Sequence, residues 1–196
     1  MLIENLNEIM LIYLNKLGNN PIIEKCVGVF ADAPIFFIPI FLIVTWLILT
    51  YKNKNEKKNE LLIILYSTIL GIIIAIITQH LFHFDRPENY IKNTGKLLLK
   101  HIPDASFPSD HATVSFAFLT SLYYAKYKKT SYIFFPFALI MVISRVIAGV
   151  HWPLDIIVGI IIGITSSYIT FKYIKKLKFI KKLNQSIIKI TGYIKL

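Results

Sequence analysis

Residues 144–155 have the sequence Ser-Arg-Val-Ile-Ala-Gly-Val-His-Trp-Pro-Leu-Asp and separate two apolar runs that suit membrane spans. Arg145, His151 and Asp155 are costly to place near hydrocarbon, so ionisable residues here indicate a functional site. His151 and Asp155 are four residues apart. On a helix this spacing puts the carboxylate on the same face as the imidazole, where it can hold one ring nitrogen. We therefore expect the chemistry of the protein in this stretch.

The composition of the whole chain is typical of one integral membrane domain. The chain has 196 residues, of which 55% are hydrophobic, and its mean hydropathy of +0.59 excludes an ordinary soluble protein. The net charge of +11 comes largely from lysines beside apolar runs, which indicates a membrane surface rather than nucleic acid. We expect a single domain with an interfacial region at 1–32, a transmembrane core at 33–173 and a basic amphipathic tail at 174–196.

Hydropathy predicts an all-α fold, a polytopic helical bundle with about five transmembrane helices. The run at 33–51 has 19 residues without a charge, which is close to the roughly 20 residues that cross the hydrocarbon of a bilayer. The last three runs have shorter charge-free cores, so they reach spanning length only if the neighbouring polar residues belong to the helices. The predicted spans are 33–51, 61–84, 109–125, 131–147 and 153–173.

Three further segments have the pattern of amphipathic helices at the membrane surface. Apolar residues recur at helical spacing over 1–18, and lysines recur every four residues within 88–108. The tail at 174–196 interleaves lysines with Ile, Leu and Phe. We expect the middle segment to be an interfacial helix over the site.

The distribution of lysines predicts the orientation of the bundle. Five spans place the loops at 85–110 and 145–155 on one side, and the loops at 52–60 and 126–130 on the other side with the tail. The second side carries most of the lysines, so the positive-inside rule puts the first side outside the cytoplasm. The expected location is therefore the plasma membrane, with the site facing the extracytoplasmic side.

Two more polar motifs occur at the edges of apolar runs, Asp-Arg-Pro at 85–87 and Phe-Pro-Ser-Asp-His at 107–111. Taken in order with 144–155, the motifs Arg-Pro, Pro-Ser-x-His and Ser-Arg-x5-His-x3-Asp resemble the type 2 phosphatidic acid phosphatase family. The sequence at 105–111 further resembles the undecaprenyl-diphosphate phosphatases linked to bacitracin resistance. The resemblance extends over roughly residues 79–160, and beyond them it rests on hydropathy.

The residues of these motifs suit the binding of a phosphate group. The planar guanidinium groups of Arg86 and Arg145 match phosphate oxygens. Ser109 stands near the N-cap of a predicted helix and adds a hydroxyl, and the backbone N–H groups of Asp110 and His111 would point at the anion. We expect no metal and no other cofactor.

The family resemblance implies the catalytic roles. His151 would attack the terminal phosphorus and form a phosphohistidine, with Asp155 fixing its tautomer and stabilising the imidazolium. His111 would protonate the leaving oxygen and then activate water to release inorganic phosphate.

One position departs from the family pattern. Gln79 stands where many members have a lysine, and a glutamine donates a hydrogen bond without bringing a charge. Part of the phosphate clamp is then weaker or is supplied by another residue. Lys100, His80 and His83 are the candidates, and the sequence does not rank them.

The resemblance implies hydrolysis of undecaprenyl diphosphate to undecaprenyl phosphate, which recycles the cell-wall lipid carrier. The expected partners are a lipid phosphate and the bilayer, with no nucleic acid, and the sequence does not give the oligomeric state. A phosphatidate or phosphatidylglycerophosphate phosphatase with the same residues stays open. So does a non-catalytic lipid-phosphate transporter or scaffold that uses the cationic pocket only to bind phosphate. Taken singly, Arg145 could be a snorkelling residue at the end of a span, and Asp155 a helix N-terminal charge.

Overall fold

The computed structural model of the chain describes residues 2–91, 94–99 and 105–193. Across these residues the secondary structure is helical, without a β-strand, which confirms the predicted all-α fold. The helices are α1 (Leu2–Leu17), α2 (Pro21–Phe30), α3 (Ala33–Tyr51), α4 (Asn55–Leu81), α5 (Glu88–Ile91), α6 (Asp110–Tyr124), α7 (Lys128–Ile147), α8 (Pro153–Lys172) and α9 (Lys178–Tyr193), with a short 3₁₀ helix at Ile174–Lys176.

Four of the described helices, α3, α4, α7 and α8, are long and apolar enough to cross a membrane. The third predicted span is α6, and its 15 residues make it shorter than these four. It nevertheless runs through the centre of the bundle, in contact with α3, α4, α7 and α8. Because neighbouring helices bury most of α6, its length need not match the hydrocarbon thickness as a lipid-facing helix must.

The closest helix pair is α6 and α8, which approach through small residues. A Cβ at Gly163 would lie 2.5 Å from the carbonyl oxygen of Thr113, and one at Gly159 would lie 2.6 Å from that of Ser109. One turn further along, the Ser167 hydroxyl donates to the Ala117 carbonyl at 2.7 Å. Small residues at such spacing let helix backbones approach closely in membranes. The contact sets the first turns of α6 and α8 side by side.

The N-terminal helix α1 packs on the bundle, against α7 and α8. Leu11 and Asn15 on its inner face are almost completely buried. The Asn15 amide donates to the carbonyls of Lys96 and Ile147 at 2.7 and 2.8 Å, and its oxygen accepts from the Lys96 N–H at 2.8 Å. The predicted helix at 1–18 is therefore present, and one face of it contacts protein.

The predicted interfacial helix over 88–108 is wrong where the structure describes it. Only Glu88–Ile91 is helical, residues 94–99 are not, and residues 92, 93 and 100–104 lie outside the described part. The reason is that residues distant in sequence form hydrogen bonds with the backbone N–H and C=O groups of this segment. Asn15 binds both backbone groups of Lys96, and Leu98 N–H donates to the Ala148 carbonyl at 3.1 Å.

The basic tail forms α9, as its pattern predicts, and it packs against α4. The Tyr66 hydroxyl donates to Asn184 Oδ1 at 2.7 Å, and Asn184 Nδ2 donates to Asn59 Oδ1 at 2.6 Å. The tail therefore lies beside the N-terminal half of α4. Gln79, at the other end of α4, contacts the start of α6, so the motif residues are at the opposite end of the bundle from the tail.

We expect Gly163→Ala to destabilise the protein, because the added methyl group meets backbone atoms of α6 that cannot move aside. Overpacking of this kind costs about 1–3 kcal/mol. For a chain of this size each kcal/mol lowers Tm by roughly 2–4 °C. Thermal unfolding in detergent measures the shift.

Gly28→Ala on α2 is the matched control, since a Cβ there has no atom within 4 Å. It should leave Tm unchanged or raise it slightly. Equal Tm values for Gly163→Ala and the unmodified protein would contradict the close contact between α6 and α8.

Candidate active site

His151 lies between α7 and α8 and is almost completely buried. Its Nδ1 is 3.0 Å from the Ser106 carbonyl oxygen and 3.4 Å from Asp155 Oδ2. Its Nε2 is 3.4 Å from a guanidinium nitrogen of Arg86 and 3.4 Å from one of Arg145. Because a carbonyl oxygen only accepts hydrogen bonds, the proton is on Nδ1 in the neutral ring. The lone pair of Nε2 is then directed between the two arginines.

The environment of His151 favours the neutral imidazole. Burial lowers the pKa of His151 well below its ordinary value, and the positive charges of Arg145 and Arg86 lower it further. A neutral ring with one unprotonated nitrogen is the form that can act as a nucleophile.

Asp155 is held in place at the start of α8 by the sequence Trp-Pro-Leu-Asp. Pro153 occupies the first turn, where a missing N–H costs nothing, and the Asp155 carboxylate reaches back to the Trp152 N–H at 2.8 Å. The Ser106 hydroxyl donates to the same carboxylate oxygen. The Asp155 carbonyl accepts from the Ser109 N–H at 3.1 Å, which joins the two helix starts.

Arg86 is oriented by backbone carbonyls. Its Nη1 donates to the Val150 carbonyl at 2.6 Å, and its Nη2 is 3.4 Å from the Ala105 carbonyl. The Trp152 indole N–H donates to the carbonyl of Asp85 at 3.0 Å, which ties the Asp-Arg-Pro motif to the start of α8. The guanidinium group is therefore fixed beside His151 before any ligand binds.

The second histidine, His111, lies in the first turn of α6 and is linked to the same cluster. Its Nε2 is 3.2 Å from Asp32 Oδ1, and Arg145 Nη1 donates to that same oxygen. Arg145 also contacts His151, so one guanidinium group and one carboxylate connect the two imidazoles. Both histidines are at the same end of the bundle, as predicted.

Ser109 is the N-cap of α6 and is fully buried, and its Oγ accepts from the Ala112 N–H at 3.4 Å. Gln79 contacts the same turn: its Nε2 donates to Asp110 Oδ1 at 3.0 Å and lies 3.3 Å from the Pro108 carbonyl. This amide therefore orients the start of α6. The assignments of Gln79 and Asp110 as substrate ligands remain predictions.

The candidates for the missing family lysine do not join the arginines in the described structure. His80 is exposed, with Nδ1 2.9 Å from the Ile76 carbonyl oxygen. His83 is also exposed and lies 4.0 Å from the carboxylate of Asp85. Lys100 is outside the described residues.

Within the described residues, His, Cys, Asp and Glu side chains form no group of three or more that could hold a metal ion. The charges that face His151 are instead those of the two arginines. A mechanism without metal remains a prediction.

Two residues of the cluster were not predicted from the sequence, Asp32 and Ser106. Asp32 directly precedes the apolar run at 33–51, and the rule that ionisable residues at membrane depth are functional could have found it. Ser106 acts through its carbonyl as well as its hydroxyl. Its residue type gives no signal for the carbonyl contact.

This arrangement can bind and attack a tetrahedral anion. Two oriented guanidinium groups and the N-terminus of α6 supply positive potential. The Nε2 lone pair of His151 faces the same space, and His111 lies across the Arg145 guanidinium group.

Comparisons with known proteins agree with this chemistry. The PAP2 superfamily model matches residues 60–179. The "Bacitracin transport permease protein BcrC" of Bacillus licheniformis is 31% identical, with 87% of this chain and 82% of the relative covered. The "Undecaprenyl-diphosphatase BcrC" of Bacillus subtilis is 26% identical over 79% of this chain and 77% of the relative. The crystal structure of Aquifex aeolicus LpxE is similar with a TM-score of 0.70 and 25% identity, covering 86% of this chain and 96% of that one.

We expect Asp32→Asn to bind inorganic phosphate more tightly, by roughly three- to tenfold. The Asp32 carboxylate accepts from the Arg145 nitrogen that a phosphate oxygen would need. Its negative charge would also repel a phosphate bound to the same guanidinium group. The gain is moderate because Asp32 is 45% exposed and water screens part of the repulsion. Isothermal titration calorimetry in detergent gives the Kd.

Asp85→Asn is the control, because its carboxylate is 93% exposed at the same end of the bundle. It should leave the Kd nearly unchanged. Weaker phosphate binding in Asp32→Asn would mean that Asp32 supports the anion site and does not compete with it.

Proposed function

Because the chain belongs to the PAP2 superfamily and is a membrane phosphatase, we propose that it hydrolyses undecaprenyl diphosphate to undecaprenyl phosphate and inorganic phosphate. The observation that carries this proposal is the position of His151 Nε2 between the guanidinium groups of Arg86 and Arg145. The name of the Bacillus subtilis relative supports the choice of substrate.

In the proposed first step, the terminal phosphate binds to Arg86, Arg145 and the N–H groups at the start of α6. The lone pair of His151 Nε2 attacks the terminal phosphorus, and the bond from that phosphorus to the bridging oxygen breaks. His111 gives a proton to the bridging oxygen, so undecaprenyl phosphate leaves. Asp155 stabilises the positive charge that develops on the His151 ring.

In the second step, water attacks the phosphohistidine. His111, now neutral, accepts a proton from the water, and the bond between phosphorus and Nε2 breaks. Inorganic phosphate is released, and both histidines return to their starting states. The sum is one diphosphate and one water converted to two phosphates. The charge comes from the arginines, so we propose that the reaction needs no metal.

The proposed location is the plasma membrane, with the site on the extracytoplasmic side. The support is the excess of lysines at the opposite end, where the α3–α4 connection, the α6–α7 connection and α9 lie. In that position the enzyme would return the lipid carrier of cell-wall synthesis to its monophosphate form.

Two other functions make different predictions for the same site. A phosphatidate or phosphatidylglycerophosphate phosphatase would use the same residues on a diacylglycerol lipid. A transporter would bind the phosphate without hydrolysing it. The name of the Bacillus licheniformis relative, which is that of a permease, favours this alternative.

We expect the purified protein in detergent, with a chelator present, to release phosphate from undecaprenyl diphosphate. His151→Ala should reduce kcat by roughly a thousandfold or more, because the attacking atom is lost. His111→Ala should reduce it by about 10²–10⁴-fold, the usual contribution of a general acid or base. Labelled terminal phosphate should appear on the protein as an acid-labile adduct, and His151→Ala should abolish it.

His83→Ala is the matched control, because this histidine is at the same end of the bundle but is exposed, 4.0 Å from the exposed carboxylate of Asp85. It should retain full activity. Phosphate release that depends on added divalent metal would overturn the metal-free mechanism, and binding without release would favour the transporter. Faster turnover of phosphatidate or phosphatidylglycerophosphate would reassign the substrate.

A further inference from the structure

A cavity of about 280 Å³ lies between α3, α6 and α7, next to the site. Asp32 directly precedes the first lining residue of α3, and His111 is one helical turn before the first lining residue of α6. The residues that line it are Phe30, Ala33, Pro34, Phe37, Ile38, Ser115, Phe118, Leu119, Phe134, Phe137, Ala138 and Met141.

Two contacts, one on each side of this cavity along the length of the bundle, hold α3 against the other helices. At the site end, Asp32 pairs with Arg145 at the end of α7. Toward the other end, the ring of Phe134 packs edge-on against Phe37 and Phe41, with centroids 4.9 and 5.5 Å apart. The cavity is the space that remains between these two contacts.

The cavity opens toward the surface that lipid would cover. Phe37 and Phe137 both line it, yet they are 41% and 53% exposed. The helix α3 that forms this wall is long and apolar enough to span, and little of it is buried in the bundle. A chain lying in the bilayer can therefore reach the cavity from the side.

The walls of the cavity are almost entirely apolar. Ser115 is the single polar residue among those that line it, and it is 4% exposed. Its hydroxyl has no hydrogen-bond partner among the described residues, although a helical serine commonly bonds to the carbonyl one turn before. Apart from this one hydroxyl the wall is hydrocarbon, which suits an apolar ligand.

We propose that this cavity binds the first isoprene units of the substrate, next to its diphosphate. The inference rests on the proposed function and specifies the lipid class. The volume is below the roughly 300–1,000 Å³ of pockets that enclose a whole drug-sized ligand. It therefore holds only the part of the chain nearest the phosphate, and the rest stays in the bilayer.

The same walls select against diacylglycerol lipids. A phosphatidate carries ester oxygens close to its phosphate, and these oxygens lose their water when they enter an apolar cavity. Each buried polar group without a partner costs free energy, and the single O–H of Ser115 can satisfy at most one such oxygen. An isoprenoid chain has only hydrocarbon at this position, so the cavity favours polyprenyl diphosphates.

The test is to fill the cavity from two sides, with Ala138→Phe on α7 and Ser115→Leu on α6. The substrate is farnesyl diphosphate, and inorganic diphosphate serves as a substrate without a chain. We expect KM for farnesyl diphosphate to rise about tenfold or more in both variants, since each buried CH₂ is worth about 0.8 kcal/mol. The kinetics of inorganic diphosphate should change by less than about threefold, which also reports that each variant is folded.

Ile140→Phe is the matched control, because Ile140 is on the same helix and is 44% exposed. It adds similar bulk toward lipid and should leave both substrates unaffected. Unchanged KM for farnesyl diphosphate in both filling variants would overturn the cavity assignment while leaving the proposed function intact. A higher kcat/KM for dioleoyl phosphatidate than for farnesyl diphosphate in the unmodified protein would overturn both the cavity assignment and the proposed substrate.

A second measurement does not depend on turnover. A farnesyl diphosphate analogue with a photoreactive group on its first isoprene unit should label residues within 30–41, 115–119 and 134–141, and excess farnesyl diphosphate should suppress the labelling. Labelling confined to residues outside these three segments would overturn the assignment even if no lipid phosphate is hydrolysed. Failure of all lipid phosphates to turn over, with these segments labelled, would instead count against the proposed function alone.

Discussion

The site depends on the close approach of α6 and α8, which only glycine permits at Gly159 and Gly163. At this separation the Ser109 N–H reaches the Asp155 carbonyl at 3.1 Å, so the Pro-Ser-x-His motif and the Trp-Pro-x-Asp turn share one hydrogen bond. Both helices begin at this point, and their free N–H groups face the same end of the bundle. A wider spacing would break the bond and separate His111 from His151. The position of the proposed catalytic groups therefore follows from a backbone contact between two helices of the bundle.

Placing two arginines in such a site is costly, and the structure offsets the cost with oxygen partners on the protein. Arg86 donates to two backbone carbonyls, and Arg145 to the carboxylate of Asp32. These bonds fix both guanidinium groups, so a phosphate meets cations that are already oriented. His151 gains from the same arrangement, because burial beside positive charge keeps its ring neutral. Its one carbonyl contact, with Ser106, then fixes which nitrogen can react.

Much of the bundle could be predicted from hydropathy because lipid leaves few options for a backbone. In hydrocarbon each N–H and C=O needs a partner within the protein, so a long apolar run becomes a helix. The segment at 94–99 could not be predicted in this way. Asn15, about eighty residues earlier, takes the backbone groups of Lys96, and the spacing of lysines contains no sign of that contact. Asp32 did have a signal, as an acid at the edge of an apolar run, but its partners on α6 and α7 could not be predicted, since nothing near it in sequence identifies them.

The helix α3 has a different role from the helices that hold the reactive groups. The histidines, the arginines and Asp155 belong to α6, α7, α8 and the loops that join them to α4, where glycine and serine contacts keep the backbones close. In contrast, α3 is held by Asp32 at the site end and by phenylalanine rings further down. A phosphate that binds Arg145 therefore competes with the carboxylate that attaches α3 at the site end. The contacts between α6 and α8 do not depend on that carboxylate.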